Sequence, residues 1–565
     1  MSRFLQIVCL FVVFSVSWSS SIPAQRKEVA QKRNVIFMVM DGTSSDAVTL
    51  ARWYKGNPLF LDELLVGGVQ TYSKSSIITD SAAAATAMAT GKKTMADVVG
   101  LVPVFQGKEV QTPAYLRPVA TVLEGAKQKG MAVGLVATSP IQHATPAAFS
   151  SHVTNREHFD DIAEQQVYQG LDLVLGGGKG PLVPQNEWKK DHPGLRKGYP
   201  QDKPIHGRKD GENLWGELEN LGYQVVTTRN ELKSVKQLPV WGTFADSDMA
   251  YDIDRKYLDL PQPSLAEMTE KSISLLSKDP QGFFLFVEGS KVDWSAHKND
   301  PVGMVSEVLA FDKAVGEAIE FAKKDGNTLV IAVTDHGTGG LTFGNADTDD
   351  TYKTVAKSKV IGPLKKAKLT VTGALSQLDE DKGNLKEVVK LYGLNELTID
   401  EWGRIANAPH IEEVLADIMA KRAHLGFTTH GHTGEDVFLY AYGPEKPTGL
   451  LNNIDLAKKV AHFLGLSLEH ATNVLFVDGV TYFKQRGYDV SLDTSDQENI
   501  VMVAKKDGVE FRYPKNKNFY WKNDKKVSQP GVNVFTGETM YIPSPLVPFR
   551  GAISASNFFT LVKSK

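Results

Sequence analysis

Asp293 and His297 stand four residues apart in EGSKVDWSAHKND, so one turn of helix would place a carboxylate and an imidazole on the same face. That spacing suits zinc, which takes nitrogen and oxygen donors in a tetrahedral shell, although an isolated pair is equally a solvated Asp–His contact. Glu288 lies just upstream, at the end of the apolar run GFFLFVEGS. Asp41 closes a second run, NVIFMVMDG, and Asp335-His336 close a third, NTLVIAVTDHG. His143 and Thr145 follow MAVGLVATS. A polar residue at a strand end is usually a turn former or a helix cap. Their joint placement points further, because ligands of doubly wound folds bind beyond the carboxyl ends of the strands. THGHTGED adds His430 and His432 in a Gly-rich turn, a source of ligands or a surface loop, and spacing does not choose between them.

A nucleophile candidate stands in TDSAAAATAMATGKK. Asp80-Ser81 precedes an Ala-rich, strongly helix-forming run, so Ser81 is expected at a helix N-terminus, where free N–H groups and the helix dipole favour a phosphate-like anion. The plainer role for Ser81 or Asp80 is N-cap. No G-x-S-x-G elbow surrounds Ser81, which argues against a Ser-His-Asp hydrolase.

The elements that must position these residues are legible as alternation. Short apolar runs over 34–42, 131–139, 171–178, 223–228, 282–290, 327–337 and 436–444 read as buried strands. Helical patterns over 213–221, 264–277, 302–323 and 454–464 lie between them. The predicted fold is α/β: a doubly wound, mostly parallel sheet with helices on both faces. Two stretches break the rhythm. Residues 341–428 are polar, Lys- and Asp-rich and partly helical, an insertion after a late strand. Residues 480–565 read as a β-rich appendage with turn signals at Lys506-Asp507-Gly508, Pro530-Gly531 and Thr536-Gly537-Glu538. The expected division is a signal peptide over 1–24, a catalytic domain over 33–470 containing the insertion, and the appendage.

The first residues carry Arg3, an apolar run and then small residues, the form of a secretory signal cleaved near Ser19 to Ala24. The apolar part, Phe4 to Val16, falls short of the ~20 residues of a spanning helix, so no stable membrane anchor is expected. Cys9 lies inside it and follows Val8, unlike a lipoprotein cysteine, and it is the only cysteine. The mature chain is therefore expected outside the cytoplasm, periplasmic or extracellular, with no disulfide and no thiolate metal site. Any metal must be held by His, Asp, Glu and hydroxyls. The formal net charge of -3 gives no reason to expect a nucleic-acid partner.

VMDG (39–42), TDSAAAATA (79–87), HATPAAF…SHVTNR (143–156), VEGSKVDWSAH (287–297), VTDHGTGG (333–340) and HTGED (432–436) together resemble the ordered motif set of the alkaline phosphatase family. The resemblance runs from about 34 to 465, interrupted by the insertion. It implies a phosphomonoesterase that forms a phosphoserine at Ser81 and uses two Zn2+ and one Mg2+. Asp41, Asp335 and His336 resemble the ligands of the zinc that activates the serine. Asp293, His297 and His432 resemble those of the second zinc, with the family's HTG motif selecting His432. Asp41, Thr145 and Glu288 resemble the third, magnesium site, and Arg156 matches the arginine that grips phosphate bidentately. His143 stands where the best-known bacterial pattern has an aspartate, and Trp294 where it has a lysine. Both are expected behind the third site. Gly337 replaces a larger polar residue. The resemblance also implies small phosphomonoester substrates and a homodimer.

Arg156 favours a dianionic monoester over a diester, which has one fewer charged oxygen to grip. Ser81 lacks the Cys/Ser-x-Pro-x-Arg context of a sulfatase. In the appendage, Lys505, Lys506, Arg512, Lys515, Lys517, Lys522, Lys525 and Lys526 interleave with Phe511, Tyr513, Phe519, Tyr520 and Trp521. That pattern is either a stacking surface for a polyanion or, as is commoner, a solvated face over a small aromatic core.

Overall fold

The apolar runs become strands of one ten-stranded sheet. The computed structural model describes residues 32–105, 115–187, 199–200 and 207–545. The leader expected over 1–24, with Cys9, and residues 546–565 lie outside the described residues. Among the described residues, no helix is long and apolar enough to cross a membrane.

Across the sheet the strands run Gly449–Asn452, Leu65–Gln70, Val437–Tyr442, Thr328–Val333, Asn34–Met40, Phe283–Gly289, Ala132–Pro140, Leu173–Gly177, Val240–Thr243 and Gln224–Val226. Only Val437–Tyr442 runs against the rest. Strand Asn34–Met40 is buried along its whole length. Its alternation sends Val35, Phe37 and Val39 into one apolar cluster and Ile36, Met38 and Met40 into another, so the sheet is covered on both faces. Helices Ser81–Thr90, Val122–Gln128, Ala144–Ser150 and Asn453–Leu464 cover the first face. Helices Ser45–Lys55, Leu265–Leu276 and Pro301–Asp325 cover the second.

Register fixes the functional rim. Val39 pairs with Glu288 on one side and with Val333 on the other, and Ala137 also pairs with Glu288. Asp41, Glu288 and Asp335 therefore leave neighbouring parallel strands at the same end.

Three strands give no apolar run in the sequence: Leu65–Gln70, Val240–Thr243 and Gly449–Asn452. In the first, a Cβ at Gly67 would fall 2.0 Å from the Gly449 carbonyl oxygen. Close backbone approach replaced the β-branched signal there.

The 341–428 stretch carries helices Lys357–Leu364, Val371–Leu375, Leu385–Leu391, Ile399–Ala406 and Ile411–Arg422. Its polar look belongs to the outer face only. Val360, Leu364, Val388, Ile418 and Met419 are buried in the cluster that covers the second face of the sheet.

The C-terminal region opens with a helix, Gly479–Lys484, and then builds an antiparallel sheet from Asp489–Asp493, Val501–Lys506, Val509–Pro514, Phe519–Lys522 and Lys525–Ser528. Asp507 and Gly508 both have positive φ, as a two-residue hairpin turn of the primed type requires. Tyr513 and Tyr520 stack at 4.8 Å beside Phe511, over a small core containing Phe483 and Met502. Lys505 and Arg512 pair with Glu510. Phe511, Tyr513 and Tyr520 thus pack within the module, while Lys515 and Lys517 pair with Asp161 and Glu164 outside it. Phe519, Val532, Val534 and Tyr541 belong to the cluster under the main sheet.

Candidate active site

Ser81 is the first residue of its helix, and the cap is Asp80, whose carboxylate accepts from the Ala82 and Ala83 amides at 3.3 and 3.2 Å. Because Asp80 does the capping, the Ser81 hydroxyl is left for other work. It lies 3.1 Å from His336 Nε2.

Asp335 accepts the Gly42 and His336 amides through Oδ1, both at 3.1 Å, which leaves Oδ2 facing His336 Nε2 at 3.3 Å. Asp41 Oδ1 lies 3.7 Å from the same nitrogen. Gly42 is required here: its φ is +68°, and a Cβ would meet Asp293 at 2.5 Å. Asp293 and His297 share one face of helix Lys291–His297, with Oδ2 and Nε2 3.3 Å apart. A two-stranded ladder sets Thr338 against His432, whose Nε2 is 3.8 Å from Asp293 Oδ1 and whose ring stacks on His336 at 3.7 Å.

The fold puts the two histidines in different places. His432 joins the cluster, while His430 exchanges hydrogen-bonding contacts with His297, its Nδ1 lying 2.8 Å from the His297 carbonyl oxygen. Three imidazoles follow one rule. Nδ1 of His297, His336 and His432 faces a backbone carbonyl, of His430, Gly337 and Thr79 respectively, and Nε2 turns to the carboxylates. That tautomer leaves Nε2 as a lone-pair donor.

Thr145 donates to Asp41 Oδ2 at 3.4 Å, and Ser139 donates to Glu288 Oε2 at 3.2 Å. His143, expected behind the third site, offers a ring nitrogen near enough to the Asp41 and Glu288 oxygens for the three to share an ion. His143 Nε2 also accepts from Arg156 Nη2 at 3.0 Å, and Trp294 meets the His143 ring edge-on at 5.5 Å. Arg156 Nη1 donates to Asp80 at 3.3 Å, so the guanidinium sits beside the capped end of the Ser81 helix.

This rim fits cations. Asp41 Oδ1, Asp335 Oδ2 and Glu288 Oε1 are buried with no hydrogen-bond donor, an arrangement that is costly unless a positive charge faces them. Burial, then the charges of Asp335, Asp293 and Glu288, hold the Asp41 carboxyl well above its usual range. Burial, with Asp335 nearby, pushes Glu288 up to about 7. At Asp293 burial also acts upward, but the hydrogen bond and charge of His297, with His336 and His432, hold that carboxyl far below the usual range. Burial and the neighbouring His336 bring His432 down to about 4, so it is a neutral donor at neutral pH. Ligand atoms sharing a tetrahedral ion at ~2.1 Å stand roughly 3.4 Å apart, close to the Asp293–His297 and Asp335–His336 separations. Three donor sets result: Asp41, Asp335 and His336; Asp293, His297 and His432; and Asp41, Glu288 and His143 beside Thr145.

Ser139 carries no motif signal of its own, while Thr338 lies inside VTDHGTGG and His430 inside THGHTGED, and each stands beside a candidate ligand. Thr338 donates to Asp293 Oδ1 at 2.6 Å. Gly337 is explained by crowding, since a Cβ there would lie 1.9 Å from Glu435 Oε1.

Fold and site define a class: a doubly wound α/β protein with cation pockets gathered around a serine at a helix N-terminus. A profile of the alkaline phosphatase family matches residues 32–466. Alkaline phosphatase 3 of Bacillus subtilis is 36% identical over 481 residues, covering 80% of this chain and 94% of its own. The repressible alkaline phosphatase of Saccharomyces cerevisiae is 34% identical, covering 83% and 88%. Among solved structures, Thermus thermophilus alkaline phosphatase superposes with a TM-score of 0.65 at 27% identity, over 78% of this chain and 94% of that one. A histidine-to-aspartate variant of the alkaline phosphatase of the Antarctic bacterium TAB5, with Mg bound in its M3 site, matches at a TM-score of 0.53 and 25% identity, over 77% and 99%. The chain belongs to the alkaline phosphatase family and is an enzyme of that kind.

Proposed function

We propose that the chain hydrolyses small phosphomonoesters through a phosphoserine at Ser81, with two zinc ions and a third, magnesium, site, after export from the cytoplasm. The observation that carries this reading is the Ser81 hydroxyl, left unused by the Asp80 cap and placed 3.1 Å from His336 Nε2 among carboxylate oxygens that lack donors.

Ser81 Oγ attacks phosphorus and loses its proton, and the ester oxygen departs as the alcohol. Water then attacks the phosphoserine, releasing inorganic phosphate and restoring the hydroxyl. The Arg156 guanidinium would meet the charge that gathers on the phosphoryl oxygens, beside a helix start whose Ala82 and Ala83 amides are held by Asp80. Arg156 presents two donors, which suits the dianion of a monoester. His297, His336 and His432, each oriented by a backbone carbonyl, with Asp41, Asp293 and Asp335, would hold zinc. Asp41, Glu288 and Thr145 would hold magnesium. In the TAB5 neighbour, magnesium is bound in the M3 site of a variant in which a histidine is replaced by aspartate. His143 adds a nitrogen donor, so preference for magnesium over zinc should be weaker than in an all-oxygen pocket. When bound, the cations supply Lewis-acid stabilisation and lower the pKa of coordinated hydroxyl and water. The short, apolar leader supports export.

The test is hydrolysis of p-nitrophenyl phosphate at alkaline pH by mature protein, by protein stripped with chelator and resupplied with Zn2+ and Mg2+, and by Ser81→Ala. Activity lost on stripping, regained with metal and absent in the variant is expected. A folded, metal-loaded wild type without activity overturns the reading.

A further inference from the structure

Lys515, Asn516 and Lys517 form a turn of the C-terminal module that is inserted into the catalytic domain. Asn516 has a φ of 63° and is 2% exposed. Its Nδ2 donates to Asp161 Oδ1 at 2.9 Å and to Glu164 Oε2 at 2.8 Å, and its Oδ1 accepts from Gln165 Nε2 at 2.9 Å. All three partners lie on helix Phe159–Tyr168, which begins three residues after Arg156. Lys515 pairs with Asp161 at 2.9 Å. Lys517 pairs with Glu164 and, at 2.6 Å, with Glu212, and its ammonium lies 4.3 Å from the Tyr168 ring centre.

The other side of Arg156 is reached through Gln165. Its Oε1 accepts from the His152 amide at 2.7 Å, and its Nε2 donates to the His152 carbonyl at 3.0 Å. The same Nε2 donates to Asn516. Between His152 and the helix, the chain is pinned by the Val99–Val153 bridge and by the Arg156 amide on the Asp97 carbonyl at 2.8 Å. Asn516 therefore holds the helix that follows Arg156 directly and reaches the His152 flank through Gln165. An arginine that grips two oxygens needs its backbone fixed, because small misplacements forfeit bidentate geometry.

We infer that the C-terminal β-module is a positioning element for Arg156, acting through Asn516 and Gln165. This rests on the reading that Arg156 grips phosphate. Truncating the module is a poor test, since Phe519, Val532, Val534 and Tyr541 are part of the main core and their loss would expose it.

Two full-length variants separate positioning from folding. Asn516→Gly keeps the left-handed backbone and removes the amide. Gln165→Met cuts the link to His152 and leaves the module docked. Each is measured for inhibition by inorganic phosphate, for kcat and KM with p-nitrophenyl phosphate, and for melting temperature. Both should weaken phosphate inhibition and raise KM about fivefold, the loss of roughly one hydrogen bond, with kcat within about twofold. In an Arg156→Ala background, Asn516→Gly should add nothing further. A lower melting temperature with unchanged phosphate inhibition in both variants, or additive losses with Arg156→Ala, overturns the inference. Wild-type phosphate inhibition in Arg156→Ala itself would instead remove the role given to Arg156, and the inference with it.

Discussion

Among the described residues, acids crowd in two places. One is the rim, where Asp41 joins Asp335 and His336 in one donor set and Glu288 and His143 in another. The other is buried Glu164 with the half-buried Asp210 and Glu212, beside the C-terminal module. Burial raises Glu288 and Glu164 alike, each to about 7. They differ in what faces them. In the second cluster Arg208, 1% exposed, donates to Asp210, and Lys517 reaches Glu164 and Glu212. At the rim Asp41, Glu288 and Asp335 meet imidazoles, the Thr145 and Ser139 hydroxyls, and one another. Close carboxylates mark a metal site only where the fold has withheld its own cation. Where the cation is supplied by Arg and Lys, the same acids join two parts of a chain.

Substitutions should therefore have opposite signatures in the two places. The largest effect is expected from Ser81→Ala, which should lower kcat by roughly 10^3-fold or more while leaving the melting temperature of the loaded enzyme within a few degrees. Lys517→Met should do the reverse. Leaving Glu164 buried without its partner should cost about 3 kcal/mol in denaturant unfolding, with kcat little changed. A third test uses pH. The folded-state pKa of Glu288 is raised, so in metal-free protein its contribution to stability is complete below about pH 4.5 and is lost as pH climbs through about 7. That loss amounts to about 3 kcal/mol. Adding Zn2+ and Mg2+ should abolish this dependence at Glu288, because ion binding displaces the proton, and should leave the similar titration of Glu164 in place. Unfolding curves of Glu288→Gln and Glu164→Gln, with and without metal, separate the two. The smallest effect belongs to Ser139→Ala, which removes a hydrogen bond to Glu288 and should weaken third-site metal affinity roughly tenfold, read by titration.

Much of the rim was legible in the sequence because its chemistry sits at strand ends. Asp41, Glu288 and Asp335 close Val- and Phe-rich runs, and parallel register then brings them together without further information. Asp293 and His297 needed only a helix. Other features were not legible, for identifiable reasons. The strand Leu65–Gln70 is specified by glycine contacts with a strand far along the chain. His432 is separated from His430 by a two-residue ladder that forms only in the fold. That His143 can offer a nitrogen beside the Asp41 and Glu288 oxygens depends on side-chain reach. The basic turn at Lys515–Lys517 carries the composition of a polyanion surface, and its acidic partners lie more than three hundred residues earlier.

Metal content is the most direct measurement. Protein dialysed against metal-free buffer after loading with Zn2+ and Mg2+ would be analysed by elemental mass spectrometry as wild type, as Asp335→Asn with Asp293→Asn, and as Glu164→Gln. Loss of bound metal in the rim variant, with wild-type content in Glu164→Gln, is the predicted result. Equal content in all three, or loss in Glu164→Gln, would contradict the assignment of the rim as the cation site.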